Sequence, residues 1–151
     1  MSYLDTAMYA IHLVFAGLWS GSVLFMTYAV LPTALNGDVR PDPVKFVTGK
    51  LQTVSRVSAL LLLLTGGHLA GTRYTAESLT GTGRGYLVLA MVALWFVLAA
   101  LVEIGASKLA DGLAQQKVRQ PAADARPVLL GASLTAVLLL INAGAILGLY
   151  Y

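Results

Sequence analysis

The stretch Thr6–Leu31, TAMYAIHLVFAGLWSGSVLFMTYAVL, decides the fold. It lies within an uncharged run bounded by Asp5 and Asp38 and exceeds the ~20 apolar residues a helix needs to cross a bilayer. Its flank, Met1 to Asp5, carries no Lys or Arg, and the run is longer than the h-region of a cleavable signal peptide. Three further apolar stretches follow, giving expected spans at about 6–31, 51–72, 85–107 and 127–150. Pro127 suits the first turn of the fourth, and Tyr150 and Tyr151 suit an interfacial anchor at its end. The expectation is an all-α integral membrane four-helix bundle, with the whole chain of 151 residues in one transmembrane domain.

Composition agrees. Hydrophobic residues make up 58% of the chain and charged residues 11%, with mean hydropathy +0.77, far from a water-soluble balance. The net charge of +3 is spread between apolar runs and forms no basic face, which argues against nucleic acid as a partner. Eight of the ten basic residues flank the first and third connections: Arg40, Lys45, Lys50, Arg56, Lys108, Lys117, Arg119 and Arg126. Only Arg73 and Arg84 flank the second. The positive-inside rule then places both termini outside, in a multi-pass protein of a prokaryotic cell membrane. With no cysteine, the chain has no disulfide, thiolate ligand or cysteine nucleophile.

Polar side chains inside spans are costly, so the few present are the candidate functional residues. His12 lies seven residues in from Asp5, and His68 five before Arg73, or ~10 Å and ~8 Å of helix rise, so the only two histidines reach similar depth. Met8, Met91 and Asn142 belong to the same level. One reading gives each histidine a neighbouring carbonyl or hydroxyl in a purely structural role. Another makes His12 and His68 the axial ligands of haem b, with Gly66, Gly67 and Gly71 clearing space for the ring. Arg73 and Arg84, near Tyr74 and Tyr86, would hold its propionates. A third makes His12, His68, Met8 and Met91 a soft copper(I) site. Nearer the inner side, Arg56 is expected to turn towards the bundle and pair with Glu103. Trp19 and Trp95 are expected to pack deep in their spans. Gly17-x3-Gly21, Gly67-x3-Gly71 and Gly144-x3-Gly148 suit close helix packing, within the bundle or in a homo-oligomer. Gly81-Thr-Gly-Arg-Gly85 is expected to be a flexible outer turn, because no strand precedes it. No phosphate loop, His-Glu-x-x-His pair or serine with a base is present, which favours electron transfer or copper handling over catalysis.

The segment Ile11–Phe25, IHLVFAGLWSGSVLF, resembles the first helix of the copper resistance protein D superfamily, where a Leu/Ile-His pair precedes small residues, a Trp and glycine-rich turns. Val54-Ser-Arg-Val-Ser-Ala-Leu60, with Thr65 and Gly66, is similar to that family's second block. The resemblance covers the first half of the chain. The same group includes compact four-helix proteins, among them the haem-b-binding protoporphyrinogen oxidase family. It implies copper handling or haem binding at His12, with a redox partner or copper carrier at the outer face. His68 rests on depth alone. The chain departs from the larger members in having only four spans and no Met/His-rich outer segment.

Overall fold

A computed structural model describes residues 2–148, and among them no strand occurs. The chain begins with a reciprocal cap in which Asp5 N–H donates to Ser2 Oγ and Ser2 N–H donates to the Asp5 carboxylate. This launches α1, Tyr3–Phe25, which runs through a π-helical turn, Met26–Val30, into α2, Leu31–Asn36. Pro32 accounts for the π turn. Proline lacks an N–H and crowds the carbonyl four residues back, so a wider turn relieves the clash, and the Leu31 N–H reaches the Met26 carbonyl. Gly37, at φ 75°, closes the rod in the left-handed conformation that glycine adopts at low cost.

Helix α3, Pro41–Arg73, starts with Pro41 in its first turn. A short α4, Ala76–Gly81, is capped reciprocally by Thr75 and Ser78, and Thr82 then caps α5, Gly83–Ala114. The sequence Gly81–Gly85 is therefore not a flexible turn but two helix ends separated by one residue. Gly85 is indispensable to it, because a Cβ there would overlap the Ser78 and Leu79 carbonyls. Helix α6 is Arg119–Gly148. Four rods, Tyr3–Asn36, Pro41–Arg73, Gly83–Ala114 and Arg119–Gly148, are long and apolar enough to cross a membrane.

These rods are longer than the expected spans. At 33 residues, α3 is ~50 Å long against a ~30 Å hydrocarbon core. Helix α6 starts eight residues before Pro127, which lies inside the helix and not at its first turn. The reason is composition: Gln120-Pro-Ala-Ala-Asp-Ala-Arg126 reads as polar, yet Pro121 fits a first turn and the alanines favour helix. Pro121, Ala122 and Ala125 are buried. The expected anchor Tyr150 and Tyr151 lies outside the described residues.

Successive rods run antiparallel in a ring: α1 against α3, α3 against α5, α5 against α6, and α6 against α1 and α2. One end of the bundle carries the N-terminus and α4 (the terminal end), and the other carries the Gly37–Arg40 and Gln115–Val118 connections (the basic end). The apolar core is concentrated towards the basic end, in Trp19, Val23, Met26, Leu109, Leu113 and Leu129. Towards the terminal end few side chains are fully buried: no described residue of α1 before Trp19, and none of α5 between Gly85 and Leu98. Outward faces are greasy, with Val14, Phe25, Leu134 and Ile141 all exposed, as contact with lipid requires.

Close approach between helices uses different glycines from those expected. A Cβ on Gly105 would lie 2.9 Å from Leu129, and one on Gly112 would overlap Pro121. At Gly17, Gly21, Gly67, Gly71, Gly144 and Gly148 a Cβ would meet nothing within 4 Å, so the Gly-x3-Gly pairs do not pack these helices together. Gly112→Val is accordingly expected to destabilise the detergent-solubilised protein by about 1–3 kcal/mol through overpacking. Gly21→Ala is expected to be neutral or to stabilise it by up to about 1 kcal/mol. Thermal unfolding of the two variants checks both signs.

Candidate functional site

Asp5, His12 and Trp19 recur every seven residues on α1, a spacing that stacks them along one face. Each meets a polar partner on α3. His68 Nε2 lies 3.0 Å from Asp5 Oδ1, His12 Nδ1 lies 2.8 Å from Thr65 Oγ1, and Trp19 Nε1 donates to Ser55 Oγ at 2.8 Å. The two helices are thus joined by a polar seam running from the terminal end to mid-bundle.

The hydrogen bonds fix the histidine tautomers. Thr65 directs its hydroxyl hydrogen to the Leu61 carbonyl at 2.6 Å, so towards His12 its oxygen accepts and the imidazole donates from Nδ1. In its neutral form His12 then keeps the Nε2 lone pair, and no other hydrogen bond reaches this ring among the described residues. Gly66 makes room for the arrangement, since a Cβ there would lie 3.0 Å from His12 Cε1. At His68 the order is reversed. Nε2–H donates to the Asp5 carboxylate, whose other oxygen accepts from the Ser2 N–H, leaving Nδ1 as the lone-pair nitrogen.

The structure thus brings each histidine to its own partner. Met8, one turn before His12, is half-buried. Met91 belongs to another helix: Trp95 Nε1 donates to the Ala59 carbonyl of α3 at 3.2 Å, so Met91 lies one turn closer to the terminal end on α5. Asn142 secures α6 to α5 by donating to the Leu87 carbonyl at 2.8 Å. Gly67 and Gly71 are exposed. Arg73 and Arg84 line one open hollow at the terminal end with Tyr74, Ser78 and Thr82, and the Arg73 guanidinium lies 5.9 Å from the centre of the Tyr9 ring. Among the described residues no three His, Asp or Glu side chains converge as a metal site.

Arg56 and Glu103 form the expected ion pair, with Gln52 Nε2 3.5 Å from the same carboxylate. Arg56 does not turn inwards, however: its side chain is 66% exposed. The interior at that level is filled by Ser55, Ser58 and Val102, so the long guanidinium stays on the flank. Trp19 and Trp95 lie within the bundle as expected, and both spend their indole N–H on α3.

Comparison with protein-family models, with curated proteins and with solved structures returns no match.

Three participants are not evident from a list of membrane-depth histidines: Asp5, which reads as a span boundary, Thr65, which reads as an ordinary helix hydroxyl, and Ser55. The heptad spacing of Asp5, His12 and Trp19 is the signal that links them. Thr65→Val is expected to cost about 1 kcal/mol of stability. It should also release His12 into a mixture of tautomers, whereas the parent protein shows the Nδ1–H form alone; imidazole ¹⁵N shifts distinguish the two.

Proposed function

We propose that the chain is a multi-pass protein of a prokaryotic cell membrane that handles copper(I) in the half of the bundle at its terminal end. The observation that carries this reading is the His12–Thr65–Leu61 relay, which commits Nδ1 and reserves Nε2 as a donor. A metal-binding histidine characteristically has its second nitrogen held in this way. Met8, one turn away on the same helix, offers a thioether, and imidazole with thioether suits a soft monovalent ion. His68, through Nδ1, and Met91 are candidate further donors. The metal would supply the binding and redox chemistry, and the chain supplies the donors and their orientation.

The basic residues that flank the first and third connections support, by the positive-inside rule, an orientation with the His12 level towards the outside. A copper carrier or redox partner would accordingly meet the protein at its outer face.

Haem b is the second reading, favoured by the hollow that Arg73 and Arg84 share at the terminal end. His12 Nε2 fits an axial ligand. His68 in its present bond does not, because Nε2, the usual haem-binding nitrogen, is given to Asp5. A bis-histidine haem would require that pair to open.

Competition between the purified protein and a chromophoric copper(I) chelator tests the proposal. One copper(I) per chain is expected to bind, with binding lost in His12→Ala, weakened in Met8→Leu and weakened about tenfold in Thr65→Val, where only the outer partner is removed. Visible spectra of the same protein, oxidised and reduced, test the second reading. A Soret band that disappears in His12→Ala, without copper(I) binding, would replace copper by haem. Neither signal would leave a cofactor-free structural or partner-binding subunit and overturn both.

A further inference from the structure

The Arg56–Glu103 pair lies on the outside of the bundle, within the apolar length of its helices. Arg56 is six residues beyond Lys50 on α3, ~9 Å of rise, and Glu103 is five residues before Lys108 on α5, ~8 Å. From the pair onwards to Arg73 on α3 and Arg84 on α5, neither helix carries another Lys, Arg, Asp or Glu. Yet the two side chains are 66% and 42% exposed. Arg56 donates from Nε at 3.3 Å and from one Nη, both to the Glu103 carboxylate, which leaves its other N–H donors unmet among the described residues. Hydrocarbon offers them no water, and a charge facing lipid is costly. The surface around the pair is apolar. Leu60 and Leu63, one and two turns along α3 from Arg56, are exposed, as is Phe96, two turns along α5 from Glu103.

We propose that this α3–α5 flank is the interface of a homodimer, in which two copies related by a two-fold axis along the membrane normal close their Arg56–Glu103 pairs into one ring of alternating charges. Charge complementarity selects a second copy as the occupant. Rotation about that axis preserves depth, so the pair of one copy meets the pair of the other at the same level. The rotation also sets α3 of each copy against α5 of the other, as the reciprocal contacts of a two-fold interface require. Arg56 then faces Glu103 of the second copy, Glu103 faces Arg56 of the second copy, and no like charges stand opposite each other. The unmet guanidinium donors gain a second carboxylate. Ala100, exposed and one turn from Glu103, lets the helices approach, and Leu60, Leu63 and Phe96 close around the charges and keep lipid away from them. The His12–Thr65 contact lies where α3 meets α1, so the interface leaves the candidate site of each copy uncovered. The proposal rests on neither the copper nor the haem reading.

The experiment uses the full chain in liposomes over a range of protein-to-lipid ratios. The sequence has no cysteine, so single introduced cysteines report cleanly. Ala100→Cys is expected to be linked into a dimer by a short bifunctional maleimide, and Leu134→Cys, exposed on α6, is not. Energy transfer between donor- and acceptor-labelled Asp38→Cys chains measures the association itself. Replacing the pair by Arg56→Gln with Glu103→Gln keeps its polarity and removes its charge, and should weaken association about tenfold. Arg56→Glu and Glu103→Arg should each fail to self-associate, yet associate when the two variants are mixed. Neither of these chains can form the pair internally, so recovery on mixing reports pairing between chains. Where a charge-reversed chain fails to fold, the double Gln variant and the Ala100→Cys linkage decide. A monomeric parent would overturn the proposal, as would folded charge-reversed chains that do not recover on mixing, association indifferent to the double Gln variant, or Ala100→Cys linked no more than Leu134→Cys.

Discussion

A polar side chain carried into hydrocarbon must find its partner inside the protein, and here α3 provides most of those partners. It receives Asp5, His12 and Trp19 from α1, and Trp95 and Glu103 from α5. Helices α1 and α5 are thereby oriented on α3, while α6 is held by α5 and by the first rod. A shift of α1 by one residue would rotate its polar row by ~100° and expose it to lipid, so the contacts that form the candidate site also fix the register of the bundle.

The core and the site divide the molecule unequally. Apolar packing is densest towards the basic end, where Gly105 and Gly112 let α6 approach α5 closely and Leu109, Leu113 and Leu129 fill the interior. Around His12 the helices are held by hydrogen bonds and not by a closed apolar core. Such a region can accept a ligand or solvent without disrupting the packing that keeps the bundle assembled.

The number and approximate position of the long apolar helices were legible from the sequence because an uncharged apolar run in lipid has few alternatives to a helix. Their ends were not. Charge and proline at Asn36–Pro43 and Lys108–Pro127 mark where the apolar runs stop, but a helix can continue beyond its apolar run, as α3 and α6 do. Likewise, the depth of His12 and His68 could be read by counting residues, whereas their partners depend on helix rotation and register. Asp5 and Thr65 became significant only once α1 lay against α3. Small-residue spacing was the least informative signal: in a glycine-rich apolar chain Gly17-x3-Gly21 arises without a neighbour, while the two α5 glycines packed closely against α6, Gly105 and Gly112, are seven apart.

The π turn at Met26–Val30 introduces a change of allegiance in the first rod. Before it, Trp19 is bonded to α3; at it, Thr27, which donates to its own helix at the Val23 carbonyl, accepts from Ser133 of α6 at 2.9 Å. The wider turn advances the helix surface by roughly one residue, so a single rod presents one face to α3 and another to α6. The wide turn thus works like an offset joint in a shaft: the length bonded to α3 and the length bonded to α6 belong to one rod but differ in phase.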